Sequence, residues 1–227
     1  MKLCVALDMP TMQENLELVK KLKDFNVWLK IGLRSYIRDG KNLIGELKQI
    51  NPDYKLFLDL KLYDIPNTMA DAASEISLLG IDMFNIHISS GEIAMKAVMQ
   101  RISNIKNRPL VLGVSVLTSF NNKDFKTIYG ASIEKRSLEF TKVAYNCKID
   151  GVVCSAYESK DIKSVTTDKF ITLTPGIRPF GEDSNDQKRV ANLEMAKEQL
   201  VDFIVVGRPI YLSKDPKGIV EEILKRI

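Results

Sequence analysis

Short apolar runs alternate with amphipathic segments along the whole chain. Eight of these runs have the length and apolar content of strands that are buried on both faces. The predicted strands span residues 2–7, 27–31, a run that starts at residue 55, 82–88, 109–117, 151–155, 170–174 and 202–206. Eight strands alternating with helices predict an α/β fold, a (β/α)8 TIM barrel. We expect residues 1–227 to form a single barrel domain.

A doubly wound open sheet would show the same alternation of strands and helices. No Gly-x-Gly-x-x-Gly motif follows the first predicted strand, which argues against a dinucleotide-binding sheet. Among the connections, residues 68–79 are expected to form a helix that Asn67 and Thr68 can cap. Residues 118–130 are predicted to be a long loop, and residues 178–189 a polar loop that could close over a ligand.

Charged residues interrupt the third predicted strand at its carboxyl end. Asp59 and Lys61 are two positions apart and therefore share one side of a strand, and Asp64 follows shortly afterwards. A buried pair of opposite charges costs desolvation free energy unless pairing or function compensates for it. Taken alone, this pair is explained equally well as a structural ion pair.

The ends of the other predicted strands carry further candidate chemistry. In a barrel, catalytic groups collect at the carboxyl ends of the strands, so these residues should face one cavity. The residues at those ends are Asp8, Lys30, His87, Ser115, Leu117, Thr118, Pro175, Gly176, Arg178, Gly207 and Arg208. Several charges at neighbouring strand ends are difficult to explain by packing alone, because each burial has a desolvation cost. They indicate a binding or catalytic site.

The stretch after the eighth predicted strand indicates phosphate binding. Loops after the last two strands of such barrels often bind phosphate through backbone N–H groups. Gly207 permits close approach of the backbone, and Arg208 offers several donors. Gln187, within the predicted loop of residues 178–189, could also reach the phosphate. The alternative interpretation of residues 178–189 is a solvated surface loop.

Composition narrows the classes of function. The single histidine, His87, excludes sites built on several histidines, and we expect it to be a packing residue. Three separated cysteines in apolar runs favour buried thiols in a reducing compartment, which we expect to be the cytoplasm. The lysines are spread along the chain among acidic residues, so they do not form the basic patch typical of a nucleic-acid-binding protein. The net charge of +4 suits an anionic substrate. No apolar run approaches the length of a membrane span.

The third-strand stretch resembles a known family signature. Residues 59–68, Asp-Leu-Lys-Leu-Tyr-Asp-Ile-Pro-Asn-Thr, resemble the Asp-x-Lys-x-x-Asp-Ile-Pro-Asn-Thr signature of the orotidine 5′-phosphate decarboxylases, in particular the bacterial type. The similarity covers nearly the whole chain. The other matching motifs are Ala6-Leu-Asp8, Leu29-Lys30-Ile-Gly32, Ser115-Val-Leu117-Thr118-Ser119, Thr174-Pro175-Gly176-Ile177-Arg178 and Val206-Gly207-Arg208-Pro209-Ile210.

The resemblance implies an activity and assigns roles to residues. The implied reaction is the decarboxylation of orotidine 5′-monophosphate to UMP, the last step of pyrimidine nucleotide biosynthesis, with neither metal nor cofactor. The implied catalytic residues are Lys61 as proton donor to C6, Asp59 near the departing carboxylate, Lys30 holding Asp59 ionised, and Asp64. The implied substrate-binding residues are Asp8, Lys30, Thr68, Leu117, Thr118, Pro175, Arg178, Gln187, Gly207 and Arg208. The resemblance also implies an obligate homodimer in which Asp64 and Thr68 reach the partner's site.

Two rival interpretations remain at this point. Magnesium-dependent decarboxylases and synthases of keto-sugar phosphates share the Asp-x-Lys-x-x-Asp pattern, but they have an acid on strand two that helps to hold the metal. Here that position is Lys30, whose ammonium would compete with a divalent cation. A catalytically silent phosphate-binding barrel is the second rival, and the desolvation cost of an unused charged array argues against it.

Overall fold

The strands form one closed parallel barrel. The computed structural model describes residues 1–181 and 190–227, and within these ranges eight strands pair in chain order, with the last beside the first. The strands are β1 (Lys2–Ala6), β2 (Trp28–Gly32), β3 (Lys55–Leu62), β4 (Met83–His87), β5 (Leu110–Val114), β6 (Gly151–Val153), β7 (Ile171–Thr174) and β8 (Phe203–Val206). The predicted (β/α)8 barrel is therefore confirmed.

Helices connect the strands. Those of the described part of the chain are α1 (Met12–Lys21), α2 (Leu33–Ile50), α3 (Pro66–Ser77), the short 3-10 helix η1 (Ile88–Ser90), α4 (Glu92–Ile102), α5 (Asn122–Tyr129), α6 (Ile133–Asn146), α7 (Ala156–Ser164), α8 (Leu193–Glu198), α9 (Arg208–Tyr211) and α10 (Pro216–Arg226). In residues 1–181 and 190–227, we find no helix with the length and apolar content needed to cross a membrane.

Two predictions about the connections were wrong in detail. Residues 118–130 are not all loop, because α5 forms between the cap Asn121, whose side chain accepts from the Asp124 N–H, and the left-handed Gly130. Helix α3 begins two residues before the predicted start, because Pro66 fits the first helical turn. Its N-cap is Ile65, so the predicted capping by Asn67 and Thr68 does not occur.

The inside of the barrel changes from apolar to charged along the strands. Alternate residues point inward and form one apolar cluster, which comprises Cys4, Ala6, Phe57, Met83, Leu112, Val114, Val153, Leu173, Phe203 and Val205. The residues between them point outward into the core beneath the helices. With a period of two, the inward position after Ala6 is Asp8 and the one after Phe57 is Asp59. The charges predicted at the strand ends thus lie on top of an apolar plug.

Three acids tie neighbouring strands together at the opposite end of the barrel. Each acid precedes an even-numbered strand, accepts a hydrogen bond from a backbone N–H near the start of the strand before it, and pairs with a cation. Asp82 accepts from the Leu56 N–H and pairs with Lys55, and Asp150 accepts from the Val111 N–H and pairs with Arg108. Asp202 accepts from the Thr172 N–H and pairs with Lys163. The distances from the donor nitrogens to the carboxylate oxygens are 2.7–2.9 Å. The charges at this end serve the fold rather than chemistry, which belongs to the other end.

Lys163 provides a test of this arrangement. Its buried ammonium also donates to the carbonyls of Asp168 (3.0 Å) and Phe170 (3.3 Å). Replacing it by methionine leaves these acceptors without a donor, so Lys163→Met should lower the free energy of unfolding by about 1–3 kcal/mol. Lys160→Met, on the exposed side of the same helix, should change it by less than about 0.5 kcal/mol. Urea unfolding measures both, and equal effects would contradict the proposed role of Lys163.

Candidate active site

A cavity of about 290 Å³ opens at the carboxyl ends of the strands. This volume lies near the lower end of the range for small-molecule sites. Ten of the thirteen predicted site residues line it, namely Asp8, Lys30, Asp59, Lys61, Leu117, Thr118, Pro175, Arg178, Gly207 and Arg208. The strand ends therefore converge as the sequence predicted.

Four charges form a chain on the side of the cavity made by β1, β2 and β3. The Lys30 ammonium lies 3.1 Å from both carboxylate oxygens of Asp8 and 3.4 Å from Oδ2 of Asp59. The other oxygen of Asp59, Oδ1, accepts a hydrogen bond of 2.6 Å from Lys61 Nζ. The carboxylate of Asp59 is thus shared by two ammonium groups, and the order of the charges is Asp8, Lys30, Asp59, Lys61.

The array keeps its own charges in place. Burial opposes the negative charge of Asp59, but Lys30, Lys61 and two hydrogen bonds outweigh it and hold the pKa of Asp59 below its ordinary value. Burial likewise opposes the charge of Lys30, but Asp59 and Asp8 raise the pKa of Lys30 above its ordinary value. The stabilisation from Asp59 is therefore lost as the pH falls through its lowered pKa, and that from Lys30 as the pH rises through its raised pKa. Both groups are charged at neutral pH.

The backbone around Lys61 is not regular strand, although the sequence predicted one. The pairing of β3 with β4 slips between Leu58 and Leu62, and Lys61 has a φ of 55°. A positive φ is uncommon for a residue other than glycine and tends to occur at functional sites. The Lys61 N–H donates to Oδ1 of Asn85 on β4 at 2.7 Å, and Nδ2 of Asn85 donates to Asp59 Oδ1 at 2.7 Å.

Asn85 is a residue that the sequence reasoning missed. The signal for it was present, because an amide stands in an apolar strand, two positions after Met83 and two before His87. Those positions share the inward face of β4, which lies beside the charges of β3.

The loop that carries Asp8 is fixed by side chains from α1 and α2. Ser35 Oγ donates to the carbonyl of Leu7 at 2.6 Å, Asn15 Oδ1 accepts from the Met9 N–H at 3.2 Å, and Arg38 donates to the Met9 carbonyl at 3.0 Å. These contacts hold Asp8 within reach of Lys30.

The backbone of Gly32 lies against the ion pair of Asp8 and Lys30. A Cβ atom at this position would lie 2.6 Å from Asp8 Oδ1 and 2.9 Å from Lys30 Nζ. Any larger residue would therefore push apart the two groups that form the first ion pair. The glycine is needed for space here, since its backbone is in an ordinary extended conformation.

The part of the cavity that follows β7 and β8 carries two arginines. Arg178 follows β7 and is buried, and Arg208 follows Gly207 at the end of β8. Tyr211, one turn beyond Gly207, also lines the cavity and was not predicted. Two guanidinium groups beside a glycine form a cationic end suited to an anionic group.

Leu117 and Thr118 belong to a loop with its own small core. The loop follows β5, and beneath it Val116, Phe125 and Ile133 form an apolar cluster separate from the main core. Helix α5 supplies Phe125, so the helix that was missed in the sequence is the support of this wall of the cavity.

Of the remaining predicted site residues, the two that the structure describes are not brought into the cavity of this chain. Asp64 and Thr68 are exposed, and neither lines the cavity. Gln187 lies outside the described residues. Ser115 is buried and donates to the Val153 carbonyl, and His87 packs its ring 5.4 Å from that of Tyr63.

A comparison with models of protein families identifies the family of this chain. Residues 1–223 match the model of the orotidine 5′-phosphate decarboxylase / HUMPS family. The chain belongs to this family. The resemblance seen in the sequence motifs is therefore confirmed. In this chain, the charged residues from Asp8 to Lys61 lie at the carboxyl ends of β1, β2 and β3.

Individual relatives are similar over their full length. A protein of a Nitratiruptor species and one of Sulfurimonas denitrificans, both named orotidine 5′-phosphate decarboxylase, are each 62% identical over 227 residues and are covered completely, as is this chain. The crystal structure of orotidine 5′-phosphate decarboxylase from Lactobacillus acidophilus matches with a TM-score of 0.86 and 32% identity, covering 99% of this chain and 98% of that one.

The single histidine reports on the electrostatics of this decarboxylase-family site. Burial and then the charge of Lys61 lower the pKa of His87 below its ordinary value, so its imidazole is neutral at pH 7. Lys61→Met removes one of these causes, and the pKa of His87 should move upward in an NMR titration. Lys2→Met, at the other end of the barrel, should leave it unchanged. A His87 pKa that does not respond to Lys61→Met would contradict the geometry described above.

Proposed function

We propose that this chain, as one barrel domain of residues 1–227, decarboxylates orotidine 5′-monophosphate to UMP without a metal or organic cofactor. The observation that carries the proposal is the array in which Asp59 lies between the ammonium groups of Lys30 and Lys61. The 62% identity to proteins named for this activity supports it. The reaction completes UMP synthesis, and the free buried thiols of Cys4, Cys147 and Cys154 suit the reducing cytoplasm in which we place it.

The two ends of the cavity suit the two ends of the nucleotide. Gly207 and Arg208, with Arg178 and Pro175, would hold the phosphate end, and Gln187 would join them. Leu117 and Thr118 would contact the pyrimidine, and Asp8 and Lys30 the ribose hydroxyls. This arrangement directs the C6 carboxylate towards Asp59 and Lys61.

The array would act on the carbanion that forms at C6. When the C6–carboxylate bond breaks, its electron pair stays on C6 and carbon dioxide leaves. The Lys61 ammonium stabilises that charge and then gives C6 a proton, and solvent reprotonates the amine. Asp59 lies near the departing carboxylate and disfavours its charge electrostatically, while Lys30 keeps Asp59 ionised.

The position of Lys30 also bears on the alternative, a metal-dependent decarboxylase or synthase acting on keto-sugar phosphates. The ammonium of Lys30 contacts the carboxylates of both Asp8 and Asp59, at the place where a divalent cation would need those oxygens. A metal ion there would have to displace a buried, charged lysine. The residues present do not fit the metal, and the names of the close relatives favour the nucleotide reaction.

We further propose that two chains form the working enzyme, with Asp64 and Thr68 acting in the partner's site. Both residues are exposed and lie away from the chain's own cavity. In the segments that follow β2, β3 and β4 in the chain, five large apolar side chains are exposed to solvent, namely Leu33, Ile37, Tyr63, Ile65 and Ile93. Large apolar side chains that would otherwise face water are typical of a protein interface when they lie together.

The first test follows the loss of orotidine 5′-monophosphate absorbance on addition of purified protein in the presence of EDTA. We expect rapid turnover that disappears in Lys61→Ala, with an unchanged circular dichroism spectrum. Full activity in Lys61→Ala would refute the role of proton donor. Inactivity in EDTA together with magnesium-dependent carbon dioxide release from a keto-sugar phosphate would overturn the proposed function.

The phosphate contact has a separate test. Arg208→Ala should lower kcat/KM for orotidine 5′-monophosphate by about 30- to 1000-fold, corresponding to about 2–4 kcal/mol of lost transition-state binding. Lys142→Ala removes an exposed positive charge on α6 and should leave kcat/KM unchanged. An Arg208→Ala enzyme that matches this control would remove Arg208 from the phosphate site.

Mixed dimers test the action of Asp64 across the interface. Lys61→Ala and Asp64→Ala homodimers should each be nearly inactive. When the two are unfolded and refolded together, hybrids acquire one intact site, and about a quarter of the parental activity should return. If Asp64 serves its own chain, mixing restores nothing.

A further inference from the structure

We propose that Asn85 is a positioning residue for the reaction: its side-chain amide fixes both Asp59 and the backbone of Lys61, so that the Lys61 ammonium meets the reacting carbon. The inference rests on the proposed function. Asn85 does not line the cavity, and it would act through its two neighbours on β3.

The need for Asn85 arises from the irregular pairing of β3 with β4. Leu58 pairs with Phe84 and Leu62 with Ile86, so four steps along β3 correspond to two along β4. The extra length of β3 forms a bulge, in which backbone groups lose their partners in the neighbouring strand. A buried N–H without an acceptor costs about 1–3 kcal/mol. Oδ1 of Asn85, at the strand position opposite the bulge, accepts the N–H of Lys61.

The amide also restrains the carboxylate of Asp59. Oδ1 of Asp59 accepts two hydrogen bonds, from Nδ2 of Asn85 at 2.7 Å and from Nζ of Lys61 at 2.6 Å. Oδ2 of Asp59 lies 3.4 Å from the ammonium of Lys30. With these three contacts the carboxylate has one orientation. Without the Asn85 donor, Asp59 can turn, and the ammonium of Lys61 that is bonded to it shifts with it.

The carbonyl oxygen and the NH2 group of the Asn85 amide are both needed for this positioning. The Lys61 N–H needs an acceptor and the carboxylate of Asp59 needs a donor, and an asparagine side chain offers one of each. Asn85 is 1% exposed, so water does not replace either half. An ionised aspartate, which has the same size, keeps the acceptor but has no donor, and an alanine has neither.

The decisive variants are therefore Asn85→Ala and Asn85→Asp. In Asn85→Ala, kcat should fall about 100-fold, because a displacement of about 1 Å of a reacting group has this effect. The dissociation constant of UMP should change by less than about threefold, since the phosphate end is untouched. Thr141→Val removes a buried hydroxyl on α6 that has no partner among the described residues, and it should change neither quantity.

Asn85→Asp adds a readout that loss of packing would not produce. Its carboxylate would lie against that of Asp59, with Lys61 and Lys30 as the nearby cations and His87 two residues further on. Two adjoining carboxyl groups retain a shared proton to higher pH, and only the protonated form can donate to Asp59. The kcat of Asn85→Asp relative to the parent should therefore rise as the pH is lowered from 8 to 6.

The results separate the inference from the proposed function. A parent protein without decarboxylase activity would end the proposed function itself. With an active parent, an Asn85→Ala enzyme within about threefold of the parental kcat would overturn the inference, as would parallel losses of kcat and UMP affinity. Should Asn85→Ala fail to fold, Asn85→Asp decides alone, and a pH-independent activity ratio would overturn the positioning role.

Discussion

The carboxylate of Asp59, shared by the ammonium groups of Lys30 and Lys61, is the interaction on which the rest of the site depends. Placed alone on an apolar plug, this carboxylate would take up a proton, because burial raises the pKa of an acid. The two lysines reverse that shift, and Lys30 is itself kept charged by Asp59 and Asp8. Asp59 and Lys30 thus stabilise each other's charged form, so the buried centre of the array forms as a unit.

The barrel supplies what this unit needs. Because adjacent parallel strands end at the same rim, β1, β2 and β3 bring their charges together from positions far apart in the chain. The apolar cluster below prevents water from reaching the array from beneath. Gly32 leaves room for the Asp8–Lys30 pair. At the far end, the three strand-linking acids stabilise the barrel without taking part in the site.

Much of this could be predicted from the sequence, because two simple periodicities govern it. The period of two placed Asp59 and Lys61 on one side of a strand. The alternation of strands and helices predicted the barrel, and with it the meeting of Asp8 and Lys30 at the strand ends. The conformation of Lys61 could not be predicted, since a positive φ at a lysine depends on a hydrogen bond to Asn85 on another strand. Helix α5 was missed because its eight residues are mostly polar, and only Phe125 is buried. The proposed roles of Asp64 and Thr68 involve a second chain, and Gln187 lies outside the described residues.

The claim that the array acts as one unit is tested most directly by a double-mutant cycle on kcat/KM for orotidine 5′-monophosphate, using Lys30→Ala, Asp59→Ala and the double variant. If each residue keeps the other charged and in place, the double variant should lose little more activity than the worse single variant. The difference from additivity then measures their coupling. Losses that simply add would show that Lys30 and Asp59 contribute independently, and would contradict the account of a shared array.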